Sequence, residues 1–257
     1  MSDEVFQRYS AYYDLLYRDK DYPAEANYVL RTLRTADPKI RRVVEFGSGT
    51  GKHGRLLAAG GLQVTGVERS ATMVGVSNDC DEPVLNDGSF NCIHGDIRTA
   101  NAGTGFDAVI SLFHVVSYLT QNDDLISTFQ NAGRHLRSRG IFFFDVWHGP
   151  AVLSERPSIR VKRVEDERTR LIRIAEPQLD IEGSRVTVRY TMLAENRTDC
   201  HLTTFQEEHL MRYFFPNEIA FIASQTGFEV AHSEEFLSGT RSSEKTWGVA
   251  YLLRRLT

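Results

Sequence analysis

Short apolar runs alternate with longer segments of helical spacing between Arg41 and Trp147. Such alternation is typical of βαβ units around a parallel sheet. It predicts strands over Arg42–Phe46, Gln63–Glu68, Asn91–His94, Phe106–Phe113 and Ile141–Val146. Some runs, such as Phe142–Phe144, lack polar alternation, which indicates that helices cover both faces of the sheet.

The segments between these strands repeat apolar residues at helical spacing, which predicts helices over Lys52–Ala59, Ala71–Ser77 and Asp123–Arg137. Gly140 follows basic residues and predicts the stop of the last of these helices. Before the first strand, Asp21 and Pro23 are suited to begin a helix over Ala24–Leu33.

The pattern changes between Arg160 and Phe215, where charged and β-branched residues alternate. This alternation predicts antiparallel strands with one solvated face, broken at residues 180–184 and 195–199. We assign to that solvated face the basic residues Arg160, Lys162, Arg163, Arg168, Arg170 and Arg173. A helix over Pro216–Gly227 and strands over Phe228–His232 and Thr246–Leu253 complete the prediction.

No flexible linker divides the chain, so we expect one domain over residues 1–257. Its parts are N-terminal helices over 1–40, a core over 41–150, an antiparallel insertion over 151–215, and a closing helix with strands over 216–257. The insertion offers strand edges that a two-fold partner could cover, which favours a homodimer.

Composition and charge exclude some classes of protein. The 257 residues are 41% hydrophobic, and 30 Lys and Arg face 34 Asp and Glu, for a net charge of −4. This balance excludes a disordered chain and argues against a nucleic-acid binder. The amino terminus has no apolar stretch, so we expect no membrane span and a cytoplasmic location. Cys80, Cys92 and Cys200 lack metal-site spacing, so we expect no metal.

The segment from Val43 to Gly51 carries the most specific chemistry. An apolar strand runs into Gly47, Gly49 and Gly51, which allow a sharp turn and a close backbone approach to a ligand. Glu68 ends the next strand, where it can accept the hydroxyls of a ribose. Lys52 occupies the position of the third glycine of the dehydrogenase fingerprint, and no Walker-type sequence follows, so phosphate cradling is disfavoured.

The string Glu45-x-Gly47-x-Gly49-x-Gly51, followed in order by Glu68 and Asp96, resembles the motifs of class I S-adenosylmethionine-dependent methyltransferases. The resemblance implies a Rossmann-like α/β fold with a mostly parallel seven-stranded sheet and a late antiparallel insertion. It implies S-adenosylmethionine as cofactor, S-adenosylhomocysteine as product, and cofactor contacts at Tyr13, Tyr22, Glu45, Gly47, Ser48, Gly49, Gly51, Glu68, Arg69, Met73, Asp96, Ile97 and Phe113.

A finer likeness involves Tyr12–Tyr17, Ser111–Leu119, Phe144–Pro150 and Phe205–His209. These segments resemble the N-methyltransferases of nucleotide-linked amino sugars. The resemblance implies a small-molecule acceptor, methylated on the amino group of such a sugar. Glu45 and Ser48 depart from that family, whose members commonly carry aspartate and cysteine or alanine there.

Methyl transfer to an amine requires a positioned acceptor and the loss of a proton. His114 follows the fourth strand and suits a general base, since its ordinary pKa is about 6.5; alternatively it only shapes the pocket. Tyr13 and Tyr22 lie in a segment that the resemblance identifies as a lid, and Tyr13 could also orient the amine.

Several further residues are candidates for the acceptor side. Asp145 follows the fifth strand and could pair with an ammonium group, or it could cap the next helix. The resemblance implies a diphosphate contact at Arg241, which could instead be a solvated loop residue. The predicted acceptor residues are His114, Tyr118, Asp145, Trp147, His148 and Arg241.

Three alternatives to an amino-sugar enzyme stay open. The chain could be an O-methyltransferase, an N-methyltransferase of amino acids or small amines, or a cofactor-binding scaffold without activity. Methylation of nucleic-acid bases is disfavoured, because neither a Pro-Pro-aromatic motif nor a Pro-Cys nucleophile follows the fourth strand.

Overall fold

The computed structural model describes residues 9–79 and 87–257. Its strands are β1 (Arg42–Phe46), β2 (Gln63–Glu68), β3 (Ser89–His94), β4 (Phe106–Ser111), β5 (Leu136–His148), β6 (Arg160–Glu165), β7 (Thr169–Asp180), β8 (Arg185–Asn196), β9 (Leu202–Phe214), β10 (Phe228–Glu235) and β11 (Gly248–Arg255). Its α-helices are α1 (Tyr13–Leu16), α2 (Tyr22–Ala36), α3 (Lys52–Ala59), α4 (Ala71–Asn78), α5 (Asn122–His135), α6 (Gly149–Glu155) and α7 (Pro216–Gln225). Short 3₁₀ turns cover Tyr9–Tyr12 and Val115–Tyr118.

Seven strands form the core sheet, in the order β3-β2-β1-β4-β5-β11-β10. The first five are parallel to one another, and β11 runs antiparallel to both of its neighbours. This arrangement confirms the predicted Rossmann-like α/β fold with a mostly parallel central sheet.

The insertion is an antiparallel meander of β6, β7, β8 and β9. It joins the core where β5 pairs with β9, through Trp147 with Tyr213 and His148 with Phe214. Within the described residues, the hydrogen-bonded sheet therefore has 11 strands, four of which belong to the predicted insertion. The seven predicted strands are its core.

Several predicted boundaries differ from the structure, and two of the differences have a clear physical cause. The helix expected to end at Arg137 ends at His135, because Leu136 is buried and already pairs with Phe106 as part of β5. The strand expected to reach Phe113 ends at Ser111, because Phe113 has a φ of 65°, which is incompatible with extended backbone.

Apolar clusters cover both faces of the core sheet. Successive strand residues point to opposite faces, so Phe142 and Phe144 pack with Phe129 of α5, while Phe143 packs with Leu57 and other residues on the α2 and α3 side. This packing fixes the carboxyl ends of β1 to β5 along one edge, where open α/β sheets bind ligands.

Three further predictions concern cysteines, metal and membrane. Cys92 is buried and Cys200 is exposed, both as free thiols, while Cys80 lies outside the described residues. In the described ranges, no His, Cys, Asp and Glu side chains group as metal ligands. No described helix has the length and apolar character to cross a bilayer.

Candidate active site

The turn after β1 presents bare backbone to a large cavity. Gly47, Gly49 and Gly51 have φ values of 73°, 55° and 79°, in the left-handed region that favours glycine. A Cβ at Gly47 would lie 2.7 Å from both γ-carbons of Val115, whereas the nearest atom to one at Gly49 is Met73 Sδ, at 4.0 Å. Gly49 therefore faces open space, while Gly51 caps α3.

The cavity has a volume of about 1180 Å³ and extends from this turn to the insertion strands. A pocket for one drug-sized ligand measures roughly 300–1,000 Å³, so there is room for a cofactor and part of a second ligand. The predicted site residues that line it are Tyr13, Tyr22, Gly47, Ser48, Gly49, Glu68, Arg69, Met73, Asp96, Ile97, Phe113, His114, Tyr118 and Trp147.

Glu68 is held in place at the end of β2. Its Oε2 accepts the N–H of Gly49 at 2.9 Å, and its Oε1 accepts that of Ser70 at 2.8 Å. Burial raises the pKa of Glu68. The two amides orient the carboxylate but do not use all of its lone pairs, so it can still accept hydroxyl hydrogens from a ligand.

Asp96 brings a second carboxylate to the cavity from the end of β3. Arg98 donates to its Oδ1 from Nε at 2.9 Å and to its Oδ2 from Nη2 at 2.6 Å. Burial acts to raise the pKa of Asp96, but these bonds outweigh it and the pKa is lowered. Met73 and Ile97, both buried, add apolar wall to the same cavity.

Glu45 lies behind the turn and does not line the cavity. Its side chain is buried, its Oε2 has no hydrogen-bond partner in the described part of the chain, and its Oε1 is 4.0 Å from Nδ1 of His53. Burial and the charge of Glu68 raise the pKa of Glu45 to about 8. The direct cofactor contact of Glu45 stays a prediction.

The N-terminal segment contributes a row of tyrosines. Tyr9, Tyr13, Tyr17 and Tyr22 all line the cavity, and the ring centroids of Tyr13 and Tyr17 are 4.8 Å apart. The sequence analysis missed Tyr9 and Tyr17. Their four-residue spacing around Tyr13 was the available signal, since it places side chains on one helical face. Lys52 and His53 of α3 also line the cavity and were missed.

His114 and Asp145 form a pair at the edge of the sheet. His114 has a φ of 61°, and its backbone N–H donates to Asp145 Oδ2 at 3.1 Å. Its ring Nδ1 is 2.6 Å from the same oxygen, a contact without ideal hydrogen-bond direction. Asp145 is 1% exposed, so it faces His114 rather than the cavity that would hold an acceptor ammonium.

A second wall of the cavity comes from the insertion and was largely missed by the sequence analysis. Its members are Arg160, Arg173, Tyr190, His209 and Met211. His209 is buried, and its Nδ1 lies 2.8 Å from the hydroxyl of Tyr118, which ties this wall to the core.

The assignment of Arg173 to a solvated face was wrong, because its side chain is partly buried and lines the cavity. Arg160 is exposed as expected, and it also lines the cavity. In β7, Arg173 shares a face with the buried residues Leu171 and Ala175. Alternate residues of a strand point to the same face, so the positions of Leu171 and Ala175 in the sequence could have identified Arg173 as facing inward.

His148 and Arg241 lie apart from the main cavity. They border a second depression of about 510 Å³ together with Ser243 and Glu244. His148 Nδ1 is 3.2 Å from the carbonyl oxygen of Thr246. The structure does not bring these two residues together with His114 in one cavity, and their acceptor roles stay predictions.

Comparison with known proteins decides the family. Residues 43–140, which contain the glycine turn and the carboxylates of β2 and β3, match the family model described as a methyltransferase domain. Residues 43–140 belong to that family, and the chain is an S-adenosylmethionine-dependent methyltransferase. The predicted family, enzyme class and cofactor are thereby confirmed.

Relatives of this methyltransferase share most of its length. It is 26% identical over 230 residues to dTDP-3-amino-3,6-dideoxy-alpha-D-glucopyranose N,N-dimethyltransferase of Streptomyces fradiae, and the match covers 88% of this chain and 84% of the relative. Its fold is similar to that of the sugar N-methyltransferase KedS8 from Streptoalloteichus, with a TM-score of 0.81, 22% identity, and coverage of 100% and 96%. CalS10 of Micromonospora echinaspora, an amino pentose methyltransferase solved with bound S-adenosylmethionine, gives a TM-score of 0.74 at 24% identity, with 99% of each chain covered.

The cavity fits S-adenosylmethionine. The open space at Gly49 would admit a ligand against the main chain, and the oriented carboxylate of Glu68 suits a ribose diol. Asp96 with the apolar side chains of Met73 and Ile97 suits an adenine ring. These residues would hold the cofactor, and their individual contacts to it are proposals.

Proposed function

We propose that this methyltransferase transfers methyl groups to the amino group of a nucleotide-linked amino sugar. The proposal is carried by the match to the Streptomyces fradiae N,N-dimethyltransferase, which spans 88% of the chain and therefore includes more than the cofactor half. The cavity supports it, because its volume continues beyond the cofactor residues to the insertion wall.

Bound S-adenosylmethionine supplies an electrophilic methyl group on a positively charged sulfur. The nitrogen of the acceptor must be neutral to attack, so an ammonium first loses a proton. We assign this proton to Nε2 of His114, which hydrogen-bonds to no described residue. The buried carboxylate of Asp145 contacts the other ring nitrogen and stabilises the imidazolium that results.

Aromatic side chains position the acceptor and exclude water. Tyr13 and Trp147 line the cavity near His114, whose ring centroid is 6.3 Å from that of Trp147. The hydroxyl of Tyr118 is fixed by His209 and can hold a polar group of the acceptor. Fixed geometry of this kind lowers the barrier by pre-orienting the reactants.

The test is a product assay on the purified protein. S-adenosylmethionine is incubated with a dTDP-3-amino-deoxysugar, the free amino sugar, amino acids, small amines and hydroxylated aromatics, and S-adenosylhomocysteine and methylated product are quantified. We expect turnover of the nucleotide sugar, with one or two methyl groups added to nitrogen. Turnover of only the other acceptors, or tight cofactor binding without any product, would contradict the proposal.

The same proposal includes a homodimer formed through the insertion. Strand β6 lies at the end of the described sheet, where its outer edge pairs with no described strand, and Val161 on it is 46% exposed. An open strand edge can pair with a strand of a second chain. Light scattering on the purified protein is expected to give twice the mass of the chain, and a monomer at high concentration would contradict this part. The cytoplasmic location stays a prediction that cell fractionation would test.

A further inference from the structure

Arg173 is a cation in the cavity wall, and no described carboxylate pairs with it. Its Nη1 donates to the hydroxyls of Tyr9 at 2.8 Å and Tyr17 at 3.1 Å, and the guanidinium lies 4.9 Å from the ring centroid of Tyr190. Within residues 9–79 and 87–257, Arg173 forms no ion pair, and its buried Nε has no hydrogen-bond partner.

Many basic side chains of the insertion lie beside a carboxylate, unlike Arg173. These pairs are Lys162 with Asp19, Arg170 with Glu165 and Glu195, Arg185 with Asp180, Arg189 with Glu208, and Arg212 with Glu218. Acids are therefore abundant in this part of the chain. Among the described residues, Arg173 and Arg160 form no ion pair, and both line the cavity.

Glu207, which shares a face of β9 with His209, is engaged elsewhere. Glu207 of β9 accepts the N–H of Tyr9 at 2.9 Å through Oε1, and its Oε2 is 3.6 Å from Nε2 of His209. Phenol hydroxyls and aromatic rings stabilise the guanidinium in part, but they carry no negative charge. A charge removed from water remains costly until it is paired.

We propose that Arg173 binds an oxyanion of the acceptor. The inference rests on the proposed function, under which the oxyanion is the diphosphate of the nucleotide sugar. The guanidinium lines the cavity and offers a planar fork of donors that matches phosphate oxygens. Arg160, exposed on β6 and lining the same cavity, adds a second positive charge. This assigns to Arg173 the role that the sequence suggested for Arg241.

A carboxylate of the cofactor is the other source of the same oxyanion chemistry. The experiment must therefore measure cofactor and acceptor binding separately. Calorimetry with S-adenosylhomocysteine reports the first. Calorimetry with thymidine 5′-diphosphate, and with inorganic diphosphate, on protein saturated with S-adenosylhomocysteine reports the second.

The variants are Arg173→Gln, Arg173→Lys, Arg241→Gln and the control Arg170→Gln. Arg170 is on the same strand, and its side chain is 54% exposed and paired with acids outside the cavity. We expect Arg173→Gln to weaken binding of both diphosphates by about tenfold or more, the loss typical of a charged hydrogen bond. Arg173→Lys should recover part of the loss, and the affinity for S-adenosylhomocysteine should not change in either variant. Arg170→Gln should bind as wild type does, and Arg241→Gln tests the other candidate for the same role.

Three results would overturn the inference. Diphosphate binding that is absent, or independent of Arg173, would remove the anion site while leaving the methylation assay as it stands. Loss of diphosphate binding in Arg241→Gln but not in Arg173→Gln would place the site in the second depression. Loss of S-adenosylhomocysteine affinity in Arg173→Gln would assign the oxyanion to the cofactor. If binding of inorganic diphosphate depends on Arg173 but no nucleotide sugar is methylated, the proposed function fails and the anion site stands.

Discussion

Replacing Gly49 by alanine separates the contribution of the glycine turn to folding from its contribution to cofactor binding. At a φ of 55° the alanine would be in the left-handed region, which costs a non-glycine residue roughly 1–2 kcal/mol. No clash adds to this cost, because the nearest atom to the new Cβ is Met73 Sδ at 4.0 Å. We therefore expect the free energy of unfolding to fall by about 1 kcal/mol.

The same substitution should also lower the affinity for the cofactor, and this second effect is independent of the loss of stability. The new methyl group would occupy space that the cavity offers to a ligand beside the main chain. An extra methyl in a filled site costs about 1–3 kcal/mol, which corresponds to roughly a tenfold to hundredfold loss of affinity. Calorimetry with S-adenosylhomocysteine measures this loss, and urea unfolding without ligand measures the change in stability.

Gly75 is the matched control. It is exposed within α4, and a Cβ there would meet no atom within 4 Å. Gly75→Ala should stabilise the protein by about 0.5–1 kcal/mol, since alanine is the better helix former, and should leave cofactor affinity unchanged. If Gly49→Ala loses stability as expected but binds S-adenosylhomocysteine like wild type, the cofactor does not approach the main chain of this turn, and the reasoning is refuted.

Two further predictions concern His114 and Glu45. His114→Ala should slow methylation by about tenfold or more, at least about 1.4 kcal/mol of barrier, with unchanged cofactor affinity; single-turnover kinetics on the saturated enzyme measures this, and an unaltered rate would reject the base. Burial and the charge of Glu68 raise the pKa of Glu45 in the folded protein from 4.5 to about 8. The protonated side chain therefore favours the folded state. This contribution to the free energy of unfolding is complete below the ordinary pKa and is lost progressively as the pH rises toward 8. Glu45→Gln should therefore be more stable than wild type near pH 8, with the difference closing toward about pH 5. Urea unfolding across this range without cofactor tests it, and parallel pH profiles for the two proteins would contradict it.

The cofactor half could be predicted from the sequence because its signals are local. The observed bounds of β1, β2 and α3 equal those expected from periodicity and the glycine turn. Glu68 and Asp96 could be placed at one edge because the carboxyl ends of parallel strands meet there. In contrast, the start of β5 depends on the pairing of Leu136 with a residue 30 positions earlier in the chain, Phe106.

The acceptor half could be predicted only in part, because its side chains meet through long-range packing. His114 and Asp145 were both candidates, but their mutual contact depends on the pairing of β4 with β5. The inward face of β7 depends on how the insertion curls over the core. A strand pattern alone gives two faces without saying which one is covered, and that is why Arg173 was assigned to solvent.

The seam between β5 and β9 has an evolutionary consequence. In the described part of the chain, two residue pairs hold the insertion strands in register with the core, Trp147 with Tyr213 and His148 with Phe214. Substitutions along β6 to β8 can therefore change the shape of the acceptor pocket without altering the strand pairing of the core sheet. The N-terminal segment must diverge in step with them, because Lys162 holds Asp19 and Arg173 holds Tyr9 and Tyr17. A chimaera that exchanges both pieces together between homologues should retain its methyl donor and acquire the substrate range of the grafted parent.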